Sequence, residues 1–271
     1  MASATGVPEQ FPPIEGLSAR ETEPLLGRPG DAAQEDGVPI IKNLVLGRSL
    51  STISLHPAAM ANLSLTLGTG IVAQLGIVLL TILIWASVLS KDLILFSAHP
   101  LLQSLAVLTL AQSVLSLQPT HTAEQKRIGQ RVHAILNLTA FLILVAGVTI
   151  IEYNKFASNG PHFHSAHGYL GVITSIVLLL QYGVGFTMWA TPNLYGGVDN
   201  AKAIWKYHRW SGYTIFVLLL ATVVSAVDTD YNKNVLKLKL WAVLLLSIVT
   251  LVGVVPRIQK QKLGFQGPSS T

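Results

Sequence analysis

Six long apolar segments constrain the fold of this chain more than any other feature. They cover approximately residues 65–89, 95–117, 132–151, 165–189, 207–227 and 235–255. A helix needs about 20 residues to cross the hydrocarbon core of a bilayer, and each segment reaches that length. Open sheets leave backbone polar groups unsatisfied in lipid. We therefore predict an all-α integral membrane protein with six transmembrane helices. The composition, 51% hydrophobic and only 11% charged, agrees with this class.

The chain divides into three regions by composition. Residues 1–60 are rich in Pro, Gly, Ala and Ser, which predicts a disordered tail. Residues 61–258 hold the six apolar segments, and residues 259–271 form a short carboxyl-terminal tail. Within the first region, Glu21–Leu26 matches an acidic dileucine sorting signal.

The basic residues predict the orientation in the membrane. Lys and Arg concentrate in cytosolic loops, and the larger group lies on the side that holds both termini: Lys42, Arg48, Lys126, Arg127, Arg131, Lys202, Lys206, Arg209, Arg257, Lys260 and Lys262. The opposite side carries Lys91, Lys155, Lys233, Lys237 and Lys239. We expect both termini in the cytosol. The net charge of +5 does not indicate nucleic acid as a partner, because the basic residues flank apolar segments.

Four histidines each open an apolar segment: His99, His133, His167 and His208. The first two intervals between them are equal and the third is somewhat longer, and each interval fits one membrane crossing plus one connection. This spacing predicts that each imidazole lies at the start of its helix. Because successive helices run in opposite directions, His99 and His167 are expected near the outer face. His133 and His208 are then expected near the cytosolic face.

Paired imidazoles at two levels indicate haem ligation. Haem groups that only transfer electrons take two strong axial ligands, which leaves no open position for dioxygen. Gly171 and Gly212 lie one helical turn after His167 and His208, on the same helical face, and could leave room for a flat porphyrin. The alternative is that each histidine is an amphipathic anchor at the membrane surface. The absence of cysteine excludes thiolate ligands and disulfides.

Four short segments surround these histidines: Leu-Phe-Ser-Ala-His99-Pro-Leu-Leu, Arg131-Val-His133, Ser-Ala-His167-Gly-Tyr-Leu-Gly and Lys-Tyr-His208-Arg-Trp-Ser-Gly-Tyr. In this order they resemble the cytochrome b561 family, and the resemblance extends over roughly residues 65–258. It implies a six-helix bundle whose four middle helices hold two b-type haems. It pairs His99 with His167 at the outer haem iron and His133 with His208 at the inner one. Members form homodimers and transfer electrons from cytosolic ascorbate to a ferric chelate or monodehydroascorbate across the membrane.

The resemblance also implies an ascorbate site on the cytosolic side. Arg131 and Lys202 match positions where the family has basic residues implicated in binding this anion. Lys126, Arg127 and Lys206 widen the same patch. The alternative is that these cations only anchor the cytosolic ends of the helices.

The sequence leaves the electron acceptor, the roles of two further histidines and two competing functions undecided. Animal granule-type members carry a further histidine where this chain has Asn137, which favours the shorter ferric-reductase-like branch and leaves the acceptor undecided. His162 and His164 either contact a haem propionate or an iron chelate, or are solvated loop residues. The competing functions are a haem-bearing subunit without activity of its own and a histidine-based proton or metal transporter. The transporter predicts ionisable residues at the bilayer midplane, where the six segments have almost none.

The predicted location follows from the dileucine motif. Leu25 and Leu26 lie in the cytosol if the amino terminus does, where sorting adaptors could bind them. We therefore expect an endolysosomal or vacuolar membrane, with the plasma membrane as the alternative.

Overall fold

A computed structural model describes residues 69–118, 123–259 and 263 of the chain, with the backbone alone at 123–125. Its six long helices are α1 Thr69–Leu89, α2 Ala98–Leu117, α3 Ala123–Ala157, α4 Ala166–Ala190, α5 Val198–Ser225 and α6 Leu240–Val254. None of the described residues forms a β-strand. Six helical segments are long and apolar enough to cross a membrane. The prediction of an all-α, six-helix membrane protein is confirmed. The predicted amino-terminal tail, its dileucine motif, Lys42, Arg48, Lys260 and Lys262 lie outside the described residues.

Four helix boundaries differ clearly from the prediction, and one of them is the end of α3, at Ala157 instead of residue 151. Helix α3 begins at Ala123 and α5 at Val198, in both cases well before the predicted start. The polar residues before the third apolar segment are mostly good helix formers, and no proline interrupts them. The helix therefore continues beyond the apolar layer. Helix α6 instead begins late, at Leu240, because a π-helical turn at Asn232–Leu236 and a left-handed Lys237 precede it.

The helices pack in three main pairs. Helix α2 packs against α3, α4 against α5, and α1 against α6. The first two pairs are sequential antiparallel hairpins, and they carry the four histidines. Helix α1 also contacts α2, where Gln74 and Gln112 exchange two amide hydrogen bonds of 2.6 and 2.8 Å. The α1–α6 pair thus lies beside the histidine-bearing hairpins and contributes none of the four imidazoles.

Small residues allow α1 and α6 to approach closely. A Cβ atom on Gly76 would lie 2.5 Å from the hydroxyl of Thr250, and one on Gly253 would overlap the backbone of Ala73. Such contacts between small residues are typical of helix pairs in membranes, where close backbone approach replaces the hydrophobic driving force.

We expect Gly253→Val to destabilise the α1–α6 pair. The added side chain meets the backbone of Ala73, which cannot rotate away, and overpacking of this kind costs about 1–3 kcal/mol. Thermal unfolding of the purified protein in detergent, followed by circular dichroism, should show a lower midpoint. The neighbouring Val252→Ala is the matched control, because Val252 faces outward and is 57% exposed. Equal midpoints for the two variants would contradict the close contact.

Candidate functional site

The structure places the four histidines at two levels. His99 is the second residue of α2, and His167 is the second residue of α4. His133 and His208 are each the eleventh residue of their helices, α3 and α5. The prediction that every imidazole begins its helix is therefore wrong for these last two, because both helices extend past the apolar segment. All four residues still lie at the polar ends of their apolar segments.

His99 and His167, the pair predicted near the outer face and called the outer pair below, lie close together with their rings nearly perpendicular. The ring centroids of His99 and His167 are 6.3 Å apart, and the ring planes are inclined by 81°. An imidazole nitrogen binds a metal ion at about 2 Å and lies about 1 Å from its own ring centre, so two opposed ligands have centroids about 6 Å apart. With this spacing, His99 and His167 would be able to hold one metal ion between them. Phe96 stacks on His99 at 6.0 Å.

The inner pair is held by different contacts. His133 and His208 lie close enough to interact electrostatically. The ring of His208 packs on Gly185 of α4, where a Cβ atom would come within 2.9 Å of its Cε1. The Nδ1 atom of His208 is buried and has no hydrogen-bond partner among the residues that the structure describes. Packing against a bare backbone, rather than a hydrogen bond, sets the position of this ring.

The other three imidazoles have a backbone carbonyl at Nδ1. The distances are 2.9 Å from His99 to Gly147, 2.9 Å from His167 to Thr222, and 3.2 Å from His133 to Ser113. A carbonyl oxygen only accepts, so Nδ1 carries the proton in each ring. The lone pair is then on Nε2, which is the arrangement that metal-binding histidines adopt.

These contacts follow one antiparallel register in each hairpin. In the α2–α3 hairpin, the contact of each histidine lies four helical turns after the other histidine: Gly147 after His133, and Ser113 after His99. The α4–α5 hairpin repeats this register at Thr222, four turns after the histidine of α5. Four helical turns rise about 21 Å. Each hairpin therefore carries its two histidines on one face, at levels about 21 Å apart.

The two glycines predicted to make room for a porphyrin differ. A Cβ atom on Gly171 would meet no atom of the described residues within 4 Å, so these residues leave the space beside His167 open. The corresponding space at Gly212 is filled by Gln181, whose Nε2 would lie 3.2 Å from such an atom. This amide donates to the His208 carbonyl at 2.7 Å, and Ser211 donates to Gln181 Oε1 at 2.7 Å. The expectation for Gly212 is wrong because a neighbouring polar side chain occupies the gap.

The five predicted anion-binding cations lie on the amino-terminal parts of α3 and α5, at the end of the bundle that holds His133 and His208. Arg127 and Arg131 are exposed. Lys202 forms an ion pair of 3.2 Å with Asp199, and the Lys206 ammonium lies 4.9 Å from the Tyr207 ring centre. Half-buried Lys126 is an electrostatic neighbour of Arg209.

A buried cation at the same end was not singled out from the sequence. Arg257 is only 7% exposed, and its Nε donates to Gln118 Oε1 at 3.1 Å. The Gln118 amide in turn donates to the Tyr213 hydroxyl at 3.4 Å. In the sequence Arg257 follows Pro256 at the end of the last apolar segment, a position that indicates only a topological anchor.

The two histidines of the α3–α4 connection have partners other than the four paired histidines. His162 Nε2 lies 3.0 Å from Glu152 Oε2, and His164 Nδ1 lies 3.0 Å from the Pro161 carbonyl. Within 69–118, 123–259 and 263, no three His, Asp or Glu side chains are grouped to bind a metal ion. The observed partners of His162 and His164 are thus those of ordinary loop residues.

Comparison with known proteins agrees with this geometry. The family model for eukaryotic cytochrome b561 matches residues 98–233, half of the chain and all four histidines. The chain belongs to the cytochrome b561 family. This family binds haem, and the resemblance inferred from the sequence is confirmed.

The curated relatives are distant. A lysosomal membrane ascorbate-dependent ferrireductase from Bos taurus is 27% identical over 140 residues, 51% of this chain and 52% of the relative. A transmembrane ascorbate-dependent reductase from Homo sapiens is 26% identical over 131 residues, 48% of this chain and 51% of the relative. A transmembrane ascorbate ferrireductase from Arabidopsis thaliana is 26% identical over 140 residues, 51% of this chain and 58% of the relative. The chain spans about half the length of the curated relatives it matches.

The contact between His208 and Gly185 generates a prediction. Gly185→Ala should push the imidazole aside and lower the haem content of the purified protein by up to half, measured as the pyridine haemochrome. Gly183→Ala is the matched control on the same helix, because its Cβ atom would meet nothing within 4 Å. Both changes favour the helix itself by about 1 kcal/mol. Full haem content in Gly185→Ala would show that the His208 ring does not depend on this glycine.

Proposed function

We propose that this protein transfers electrons across a membrane, from cytosolic ascorbate to an acceptor on the opposite side, through two b-type haems. His99 and His167 bind the outer haem iron, and His133 and His208 bind the inner one. The observation that carries the proposal is the arrangement of four imidazoles as two pairs at two levels. The 6.3 Å spacing of the outer pair and the carbonyl acceptors behind three of the rings support it.

The four histidines would bind the two haems and hold them in a fixed orientation, and they would prevent other molecules from reacting at the iron. When bound, the haem supplies the one-electron ferric/ferrous couple. With two imidazoles holding each haem, these residues would exclude dioxygen and substrate from the iron. The hydrogen bonds from Nδ1 to backbone carbonyls fix the rings of His99 and His167. This rigidity suits electron transfer, because the ligands do not need to move when the charge changes.

The separation of the two levels supports transfer without a moving carrier. The levels are about 21 Å apart along the helices, within a hydrocarbon core of about 30 Å. The extended rings of two haems would shorten the remaining gap considerably. The two histidine pairs are thus separated by most of the thickness of the hydrocarbon core.

The basic end of the bundle is the proposed donor side. Ascorbate is a monoanion at neutral pH, and the amino-terminal parts of α3 and α5 present cations beside the inner pair: Arg131, Lys202, Lys126, Arg127 and Lys206. Their number on this side supports a cytosolic location for both termini. The names of the relatives, ascorbate-dependent reductases and ferrireductases, support ascorbate as the donor.

The acceptor, location and assembly are parts of the same proposal. We favour a ferric chelate, with monodehydroascorbate as the alternative, because two of the relatives are named ferrireductases. One of them is lysosomal, in line with an endolysosomal or vacuolar membrane. We further propose that residues 61–258 form the membrane domain between two cytosolic tails and that the protein is a homodimer.

Proteoliposomes test the function directly. Wild-type protein should contain two haems per chain. When its cytosolic end faces outward in liposomes loaded with ferricyanide, external ascorbate should reduce the ferricyanide inside, and its colour should fade. His99→Ala should lose only the outer haem, remain reducible by ascorbate and transfer no electrons inward. Two haems without transfer would favour a haem-bearing subunit, and one haem or none would contradict the paired sites.

The donor site makes a separate prediction. Arg131→Ala removes an exposed charge and no haem ligand, so reduction should require several-fold more ascorbate at unchanged haem content. Stopped-flow absorbance at varied ascorbate concentrations measures this change. Lys237→Ala, at the opposite end of the bundle, is the matched control and should behave as wild type. Identical kinetics for all three proteins would leave Arg131 as a topological anchor.

A further inference from the structure

The hydrogen bonds behind the imidazoles differ between the two levels. At the outer level both Nδ1 atoms lie 2.9 Å from a backbone carbonyl. At the inner level, within the described part of the chain, no group forms a hydrogen bond with His208 Nδ1. His133 Nδ1 lies 2.7 Å from the side-chain hydroxyl of Ser113 and 3.2 Å from the carbonyl of the same residue. His167 Nδ1 also lies 3.5 Å from the Ser225 hydroxyl, so His133 has the shorter of the two contacts to a side chain that substitution can remove.

The Ser113 hydroxyl is itself held in place. Ser113 is fully buried, and Asn137 Nδ2 donates to its Oγ at 2.5 Å and to the His133 carbonyl at 2.6 Å. Asn137 follows His133 by one helical turn, so its side-chain amide can donate both to the His133 carbonyl and to the Ser113 hydroxyl. The hydroxyl hydrogen has the His133 carbonyl as its own acceptor, at 3.3 Å.

The direction of these hydrogen bonds follows from the number that each group can donate and accept. A hydroxyl oxygen can accept two hydrogen bonds and donate one. Asn137 fills one acceptor position, and the hydroxyl hydrogen points to the carbonyl. The remaining acceptor position faces His133 Nδ1, which keeps its proton because the Ser113 carbonyl also accepts from it. Nε2 is thereby left with its lone pair.

We propose that Ser113 and Asn137 are positioning residues for His133: Asn137 holds the Ser113 hydroxyl as an acceptor for the His133 ring, and this contact tunes the reduction potential of the inner haem alone. The proposal rests on the proposed function, since it requires a haem iron on His133. An acceptor at Nδ1 makes the imidazole a stronger donor to the metal, which stabilises the ferric state. Loss of the acceptor therefore raises the midpoint potential of that haem.

Redox titration followed in the visible spectrum tests the proposal. In Ser113→Ala one of the two midpoints should rise, by up to a tenfold change in the ferric/ferrous ratio, equivalent to about 59 mV for one electron. Asn137→Leu should move the same midpoint in the same direction. The double variant should shift no further than Ser113→Ala alone, because Asn137 acts through the hydroxyl. The other midpoint and the haem content should not change.

A matched control lies on the same helix. Ser104 is also buried on α2, and its hydroxyl accepts from Trp85 at 3.1 Å without contacting a histidine. Ser104→Ala should leave both midpoints in place. Ser113→Cys keeps the side-chain volume with a weaker acceptor, and it gives the same readout if the alanine variant does not assemble.

The outcomes separate this inference from the proposed function. Two haems whose midpoints stay fixed in Ser113→Ala and Ser113→Cys would overturn the inference and leave the function standing. Additive shifts in the double variant would also overturn it, because Asn137 would then act by another route. Fewer than two haems in the wild-type protein would instead defeat the proposed function.

Discussion

The antiparallel register of the two helix hairpins is the constraint on which the rest of the structure depends. Each histidine meets a neighbouring helix at the residue that lies four helical turns after the other histidine of its hairpin. Where a backbone carbonyl lies there, as for His99 and His167, the hydrogen bond joins the helices and orients the ring together. The antiparallel register thus determines how the helices pack, which nitrogen of these two rings carries the proton, and how far apart the two levels lie.

The same register leaves the two levels chemically unequal. A backbone carbonyl is present whichever side chain the residue carries, so the ring positions of the outer pair depend mainly on the backbone. The inner pair depends on side chains and on a missing one: Ser113 and Asn137 beside His133, and Gly185 beside His208. We infer that natural variation in this protein can adjust the inner level more readily than the outer level. The inner level lies at the basic end of the bundle, which is the proposed donor side, so this freedom would act where we propose that ascorbate binds.

Much of this arrangement could be predicted from the sequence, because apolar length and histidine spacing report directly on membrane crossings. The juxtaposition of His99 and His167 follows from spacing and alternating direction alone. Helix ends could not be predicted in this way: α3 and α5 extend beyond the apolar layer, since lipid thickness limits the apolar segment and not the helix. The space at Gly212 is filled by Gln181, a side chain of the preceding helix, and no local sequence pattern reveals such a contact.

The register also determines where this protein can gain or lose residues. Its levels are set by contacts between helices, so the connection between α3 and α4 can change length without moving either histidine pair. A single residue deleted between His99 and Ser113 would instead rotate everything beyond it by about 100° and shift it by about 1.5 Å. Ser113 would then turn away from His133 while both apolar segments kept a length sufficient to cross the membrane. Homologues of this chain should therefore differ in length at their connections and share one length between each histidine and the contact four turns beyond it.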